Sequence, residues 1–416
     1  MSDLSGQPPG RAVSPFVAVP VAVLIVVVAM GMAWLFTRDG GVDATPASNT
    51  TPATAPSTTA TTPTTAAGAP DDGSLESVVD ELSAFVEAER GLEFIDPVDV
   101  ELADDDEFEQ RLLDDFEAED EADLRDTEAI FRALGFLDAD DDLVEQLKGV
   151  LSGGVVGFYD PETNELVVRG LEPTPYTRKV IVHELTHALD DQHFELFRPE
   201  LDEADDEAGF GFSALVEGNA STVEDAYAET FTDDEQTQSD EEEAAVGSDT
   251  DFTGFPQILL DLIGAPYQLG PPLIGAITAE GGGSAVDAAF EDPPVSSEQV
   301  LDPTLYLSGE APLDVAEPAA DGESFDQGTF GQFLLLLLLD DGGVDLDVAR
   351  EAAIGWGGDQ YVAWRDGDQT CLRVAFEGDT PADTTEIEDA LTEWSAAQDL
   401  ADVAEDGDQV ILTSCG

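Results

Sequence analysis

The sequence predicts an α+β body carried outside the cell on a single N-terminal transmembrane helix. Three observations carry this expectation. Residues 16–36, FVAVPVAVLIVVVAMGMAWLF, hold no charge, and at about 1.5 Å per residue they span roughly 30 Å, enough for one membrane crossing. Residues 44–69 are built almost entirely of Thr, Ala, Pro and Ser, a composition that cannot bury a core. After residue 74, segments with helical spacing of apolar residues are interleaved with short runs that read as β-hairpins.

Charge bounds the partners. Of 416 residues, 93 are acidic and 14 basic, for a net charge of -79, and Lys148 and Lys179 are the only lysines. Phosphate backbones are bound by clustered Lys and Arg, so nucleic acid is excluded as a partner. Acid spread along the chain after residue 70 reads as halophilic adaptation, because high salt screens the self-repulsion. An ordinary acidic secreted protein is the alternative. Cys371 and Cys415 are the two cysteines. They form no C-x-x-C pair, which argues against a cysteine metal site. One disulfide in an exported chain and two buried thiols both stay open.

Taken in order, residues 1–15 are a cytoplasmic tail, 16–36 the membrane helix and 37–73 a disordered stalk. Arg11 and Arg38 flank the apolar run equally and do not orient it. The stalk does, placing the N-terminus inside and the main domain outside. A cleaved signal peptide competes, but the run is long for one and no small-x-small site follows it. The main domain is expected over 74–316. It opens with a helix capped by Ser74. A short strand in GLEFIDPVDVEL, acidic helices to about residue 151 and a hairpin turning at 160–164 follow. The next helix starts at Thr174-Pro175, a cap followed by a first-position proline. Residues 233–250, DDEQTQSDEEEAAVGSDT, read as a disordered acidic insertion. Helices broken by Gly and Pro occupy 251–316. A C-terminal α/β subdomain is expected over 317–416. It holds a buried helix from Phe333 to Asp340, a hairpin turning at Asp366-Gly367, a helix near 383–399 and a final strand QVILTSC. That order lays Cys371 and Cys415 on strands that can be neighbours.

The chemistry sits in VIVHELTHALDDQHF, residues 180–194, which contains all three histidines of the chain: His183, His187 and His193. His183-Glu184-x-x-His187 is the zinc-peptidase helix pattern. On a helix the two histidines share a face, with Ile181, Leu185 and Ala188 on the opposite side. A catalytic zinc takes three protein ligands and keeps one position open. Glu184 stands beside the histidine face, placed to take a proton from a water whose pKa the metal lowers. The third ligand is open between His193 and Glu217. His193 has the spacing of H-E-x-x-H-x-x-G-x-x-H. However, Asp190 stands where that pattern has its glycine, and the only methionines, Met1, Met30 and Met32, lie in or before the apolar run. Glu217, in FSALVEGNASTVEDAY, sits among Ala214, Leu215 and Val216 in a segment with helical spacing. The short residues after it suit close helix packing.

Together, GVVGFYDPETNELVVRG, TPYTRKVIVHELTHALDDQHFEL, ALVEGNAS, PYQLGPPLI and PPVSSEQVLDPTLY resemble an uncharacterised family of exported prokaryotic proteins. That family is itself similar to gluzincin zinc metallopeptidases. The resemblance covers roughly residues 74–310. It implies a zincin-like α+β domain with a helical extension, zinc held by His183, His187 and Glu217, and Glu184 as general base. The sequence departs from the pattern twice. Asp302 stands where many relatives have histidine. Ser221 stands four residues after the ligand glutamate, where gluzincins place an aspartate that orients a zinc histidine. Tyr267 and His193 are the candidates for stabilising the oxyanion. The expected function is that of a membrane-anchored extracellular metallopeptidase acting on a peptide or protein. The alternative is a non-enzymatic surface protein with a degenerate or structural zinc site.

Overall fold

The structure, a computed structural model, describes residues 25–28, 74–114, 118–198, 201, 206–249, 255–398 and 400–416. Its first part contains β1 (Ile25–Val28), α1 (Leu75–Arg90), β2 (Val100–Ala103), α2 (Asp105–Asp114), α3 (Ala118–Leu134) and α4 (Leu143–Gly154). The hairpin β3 (Val155–Asp160) and β4 (Glu165–Arg169) leads into α5 (Pro175–Phe194). A helical run follows: α6 (Asp206–Ala228), α7 (Asp233–Asp249), α8 (Gln257–Gly281), α9 (Gly283–Glu291), α10 (Ser297–Leu301) and α11 (Pro303–Ser308). The last part is β5 (Glu323–Gly328), α12 (Gly331–Asp341), α13 (Leu346–Ile354), β6 (Trp356–Asp366), β7 (Gln369–Gly378), α14 (Pro381–Ser395), β8 (Ala401–Asp406) and β9 (Gln409–Cys415). The strands form two sheets, β1-β3-β4-β2 and β5-β6-β7-β9-β8. The first is mixed, with β2 parallel to β4; the second is antiparallel throughout.

Helix α5 is the centre of the first part. Thr174 caps it through a bond from the Thr177 N–H, and Pro175 opens its first turn, where a missing N–H costs nothing. From Val180 to Asp190 every residue is buried, so the helix is enclosed on all sides rather than amphipathic. Ile181, Leu185, Ala188 and Leu189 pack with Val78, Leu82 and Val86 of α1 and with Val156, Leu166 and Val168 of the first sheet. Val167 points the other way, with Val155 and Phe158, onto Phe108 and Leu112 of α2. Alternation along β4 thus covers both faces of the sheet.

Helix α6 closes over α5 and is in turn clamped by α8. Gly218 and Gly270 make that second contact. A Cβ on Gly218 would lie 2.3 Å from the Gly270 carbonyl carbon, and a Cβ on Gly270 would lie 2.2 Å from the Ala214 oxygen. Apart from glycine, no residue fits either position without moving a helix.

The second sheet packs on α12, α13 and α14, and its core also takes Leu124, Ile130, Phe131 and Leu134 of α3 and Leu143, Val144 and Leu147 of α4. The β6–β7 hairpin turns at Gly367, whose φ is +65°. Strands β7 and β9 pair Cys371 with Cys415 in register, and the two are disulfide-bonded.

Two expectations are corrected. The transmembrane helix read over 16–36 is contradicted. Its described residues, Ile25–Val28, form a strand antiparallel to β3, and among the described residues no helix is long and apolar enough to cross a membrane. Ile-Val-Val-Val is a β-branched run, which suits an extended backbone better than a helix. The tail at 1–15 and the stalk at 37–73 lie outside the described residues. The acidic insertion at 233–250, expected to be disordered, is the helix α7 from Asp233 to Asp249; what holds it is described below.

Gly270→Ala is expected to destabilise the fold by about 1–3 kcal/mol through overpacking, read as a lower denaturant midpoint. Reducing the Cys371–Cys415 disulfide, which closes a loop of 44 residues, is expected to cost about 2–4 kcal/mol in the same assay.

Candidate metal centre

His183 and His187 are one turn apart on α5, their ring centroids 4.7 Å apart and their planes at 73°. Glu217 of α6 faces them. Its Oε2 lies 3.2 Å from His183 Nε2 and 3.5 Å from His187 Nε2. One ligand atom from each residue falls within 4.8 Å of the others, a spacing that could hold a metal ion. All three side chains are buried, His187 completely.

Neighbouring contacts put Glu217 there. The glycine crossing with α8 sets the depth of α6. Asn219 sets its register: its amide donates to Asp190 Oδ2 on α5. Asp190 is itself fully buried and paired with Arg90 of α1 at 2.7 Å. The residue that breaks the H-x-x-G-x-x-H pattern is therefore a structural anchor between three helices.

His183 is held from behind. Its Nδ1 donates to Glu224 Oε2 at 2.7 Å, which turns Nε2 toward Glu217, the orientation a metal histidine needs. Glu224 is seven residues after Glu217, two turns along the same face of α6. Its other oxygen lies 3.3 Å from Lys179 Nζ on α5.

The electrostatics ask for a positive charge at this point. Burial opposes ionisation of Glu217, but His187 and His183 outweigh it and hold its carboxyl at about 2. Burial works against a charged His183, yet Glu217 and Glu224 raise it to about 10. Burial lowers His187; its Nε2 reaches Glu217 only at 3.5 Å, and neither ring nitrogen makes a hydrogen bond of normal length. A buried imidazole so weakly bonded is costly, and a cation beside Glu217 would satisfy it. Two imidazoles and a carboxylate match the N/O donor sets of transition-metal sites rather than the all-oxygen cages of calcium or magnesium. The residues therefore fit a metal ion.

Glu184 is fully buried. It lies against β3, where a Cβ on Gly157 would sit 3.0 Å from its Oε1. Tyr267 of α8 also comes to the site. Its ring stacks on His183 at 6.3 Å, and its hydroxyl donates to Glu217. Burial, then the Glu217 and Glu184 carboxylates, hold the phenol well above its usual range, so it stays a donor.

The structure does not bring His193 to this group. Helix α5 runs unbroken to Phe194, so His193 is carried round to another face, where its Nε2 meets the Glu93 carbonyl at 2.9 Å. Asp302 caps α11, accepting from the Thr304 N–H. The carboxylate that meets His183 Nδ1 is Glu224, not the residue at 221. The sequence reading missed Glu224, Lys179 and the Arg90–Asp190–Asn219 set. Glu224 was detectable only as the glutamate two turns after Glu217.

Residues 317–414 match a domain of unknown function (DUF8575), a segment that holds none of the residues above. No curated protein and no solved structure matches the chain.

Glu224→Gln is expected to weaken metal binding roughly 10–100-fold, with His193→Ala binding as wild type does. Titration with a competing chelator checks both.

Proposed function

We propose that the protein is a zinc-dependent hydrolase of peptide bonds. The observation that supports this best is the meeting of His183, His187 and Glu217, with Glu184 next to His183 in sequence and near enough to Tyr267, the phenol on Glu217, to raise its pKa. A metal site that is purely structural has no use for a base next to it and closes all four positions with protein ligands.

Zinc, held by His183, His187 and Glu217, would supply Lewis acidity, polarising the scissile carbonyl and acidifying the attacking water. The chain's own groups do the rest. Glu184 accepts the proton from water and returns it to the departing amine. Burial strengthens each of these charge interactions. Glu224 holds the His183 ring in one tautomer. Tyr267, kept protonated, donates to the oxygen of the scissile carbonyl as negative charge develops there, exchanging its bond to Glu217 for that one. The substrate is a peptide or protein. The disulfide supports an oxidising compartment, and so an exported protein working outside the cell. The second reading is a non-enzymatic surface protein with a structural metal; the burial of Glu184 favours it.

Glu184→Gln separates the two. The variant is expected to bind one zinc per chain as wild type does, and to lose peptide hydrolysis about 10²–10⁴-fold when both are assayed in high salt on a mixed peptide library. A wild-type chain that binds zinc and cleaves nothing would favour the structural reading.

A further inference from the structure

Helix α7 carries DDEQTQSDEEEAAVGSD, with no basic residue. It is nevertheless folded against the start of α5. Glu242 accepts from the Thr174 hydroxyl at 2.6 Å, Glu243 pairs with Lys179 at 2.9 Å, and Val246 packs on the first core. Lys179 lies between two carboxylates, Glu243 of α7 on one side and Glu224 of α6, at 3.3 Å, on the other. Its side chain is 17% exposed, so these pairs are only partly screened by solvent. Glu224 in turn divides its two oxygens between Lys179 and His183. A continuous line of charge contacts therefore runs from α7, which supplies no ligand, to a metal histidine.

Without the ammonium, the Glu224 and Glu243 carboxylates would face one another in a partly buried space with no cation between them. Repulsion would push α7 off α5 and free Glu224 to turn away from His183. We infer that Lys179 is a positioning residue for the metal centre: docking of α7 through Glu243 fixes Lys179, Lys179 fixes Glu224, and metal affinity depends on a helix that never touches the metal. This rests on the metal-binding reading of His183, His187 and Glu217.

The test measures zinc affinity by chelator competition in the full-length chain for wild type, Lys179→Met, Lys179→Arg, Glu243→Gln and the Lys179→Met/Glu243→Gln double variant. Absorption spectra of the cobalt-loaded proteins report the histidine environment directly. Lys179→Met is expected to weaken zinc binding about tenfold, the lower end of what loss of a partner to a metal histidine costs. Glu243→Gln should shift in the same direction, Lys179→Arg should recover most of the affinity, and the double variant should be no worse than Lys179→Met, because the residues act in one line. Cobalt bands should move in Lys179→Met and Glu243→Gln alike. If Lys179→Met does not fold, Glu243→Gln and Lys179→Arg decide. Zinc affinity and cobalt bands unchanged in Glu243→Gln, with wild type binding tightly, would overturn the inference and leave the metal site standing. A wild-type chain that binds neither ion would overturn both.

Discussion

Where Gly218 meets Gly270, two helices cross with no side chain between them, and the position of Glu217 follows from that contact. Glu217 is the residue before one of these glycines, and Tyr267 is one turn before the other. The crossing therefore brings a carboxylate and a phenol to the face of α5 that already carries two imidazoles. Helix α5 alone could present His183 and His187 to solvent. Only a neighbour at this depth makes them part of an enclosed group.

Enclosure has a cost that the rest of the first part offsets. Ionised groups out of water are tolerated when paired and hydrogen-bonded. Asp190 is buried against Arg90 and Asn219, and Glu224 against His183 and Lys179. In a chain with 14 basic residues, placing Arg90 and Lys179 here is a concentrated use of a scarce type. His187 differs: its Nε2 reaches Glu217 only at 3.5 Å and neither ring nitrogen makes a normal hydrogen bond, a looser arrangement with room for a metal ion.

Much of α5 was legible in the sequence because its signals are local: a Thr cap, a first-turn proline and two histidines in a chain that has three. Glu217 was legible through its apolar neighbours and the small residues after it. Glu224 was not, since one more glutamate in so acidic a chain carries no signal unless its distance from Glu217 is measured in helical turns. The order in α7 was hidden for a different reason. Its composition alone reads as solvated charge, and the groups that hold it, Thr174 and Lys179, are more than sixty residues away. His193 was legible too: its spacing matches a motif that needs a bend, Asp190 stands where the bending glycine would be, and the helix runs on to Phe194. Over 16–36, apolar content was read as length of helix, while the β-branched run Ile25–Val28 within it forms a strand.

Helices α3 and α4 lie between strands of the first sheet in sequence, yet they pack with the second sheet, where Ser414 bonds back to the Ala133 carbonyl. The segment that matches a family of its own, 317–414, is therefore not a detachable module; part of its core is made near residue 130. Synthesis runs in the opposite direction to this dependence. Leu124, Ile130, Phe131 and Leu134 of α3 find their sheet partners only once β7 and β9 are made, and α4 leads directly into the hairpin beneath α5. Contacts of such long sequence separation form late. Through α3 and α4 the part that gathers His183, His187 and Glu217 and the part that matches a family of its own therefore share one core, so damage to either is felt by both.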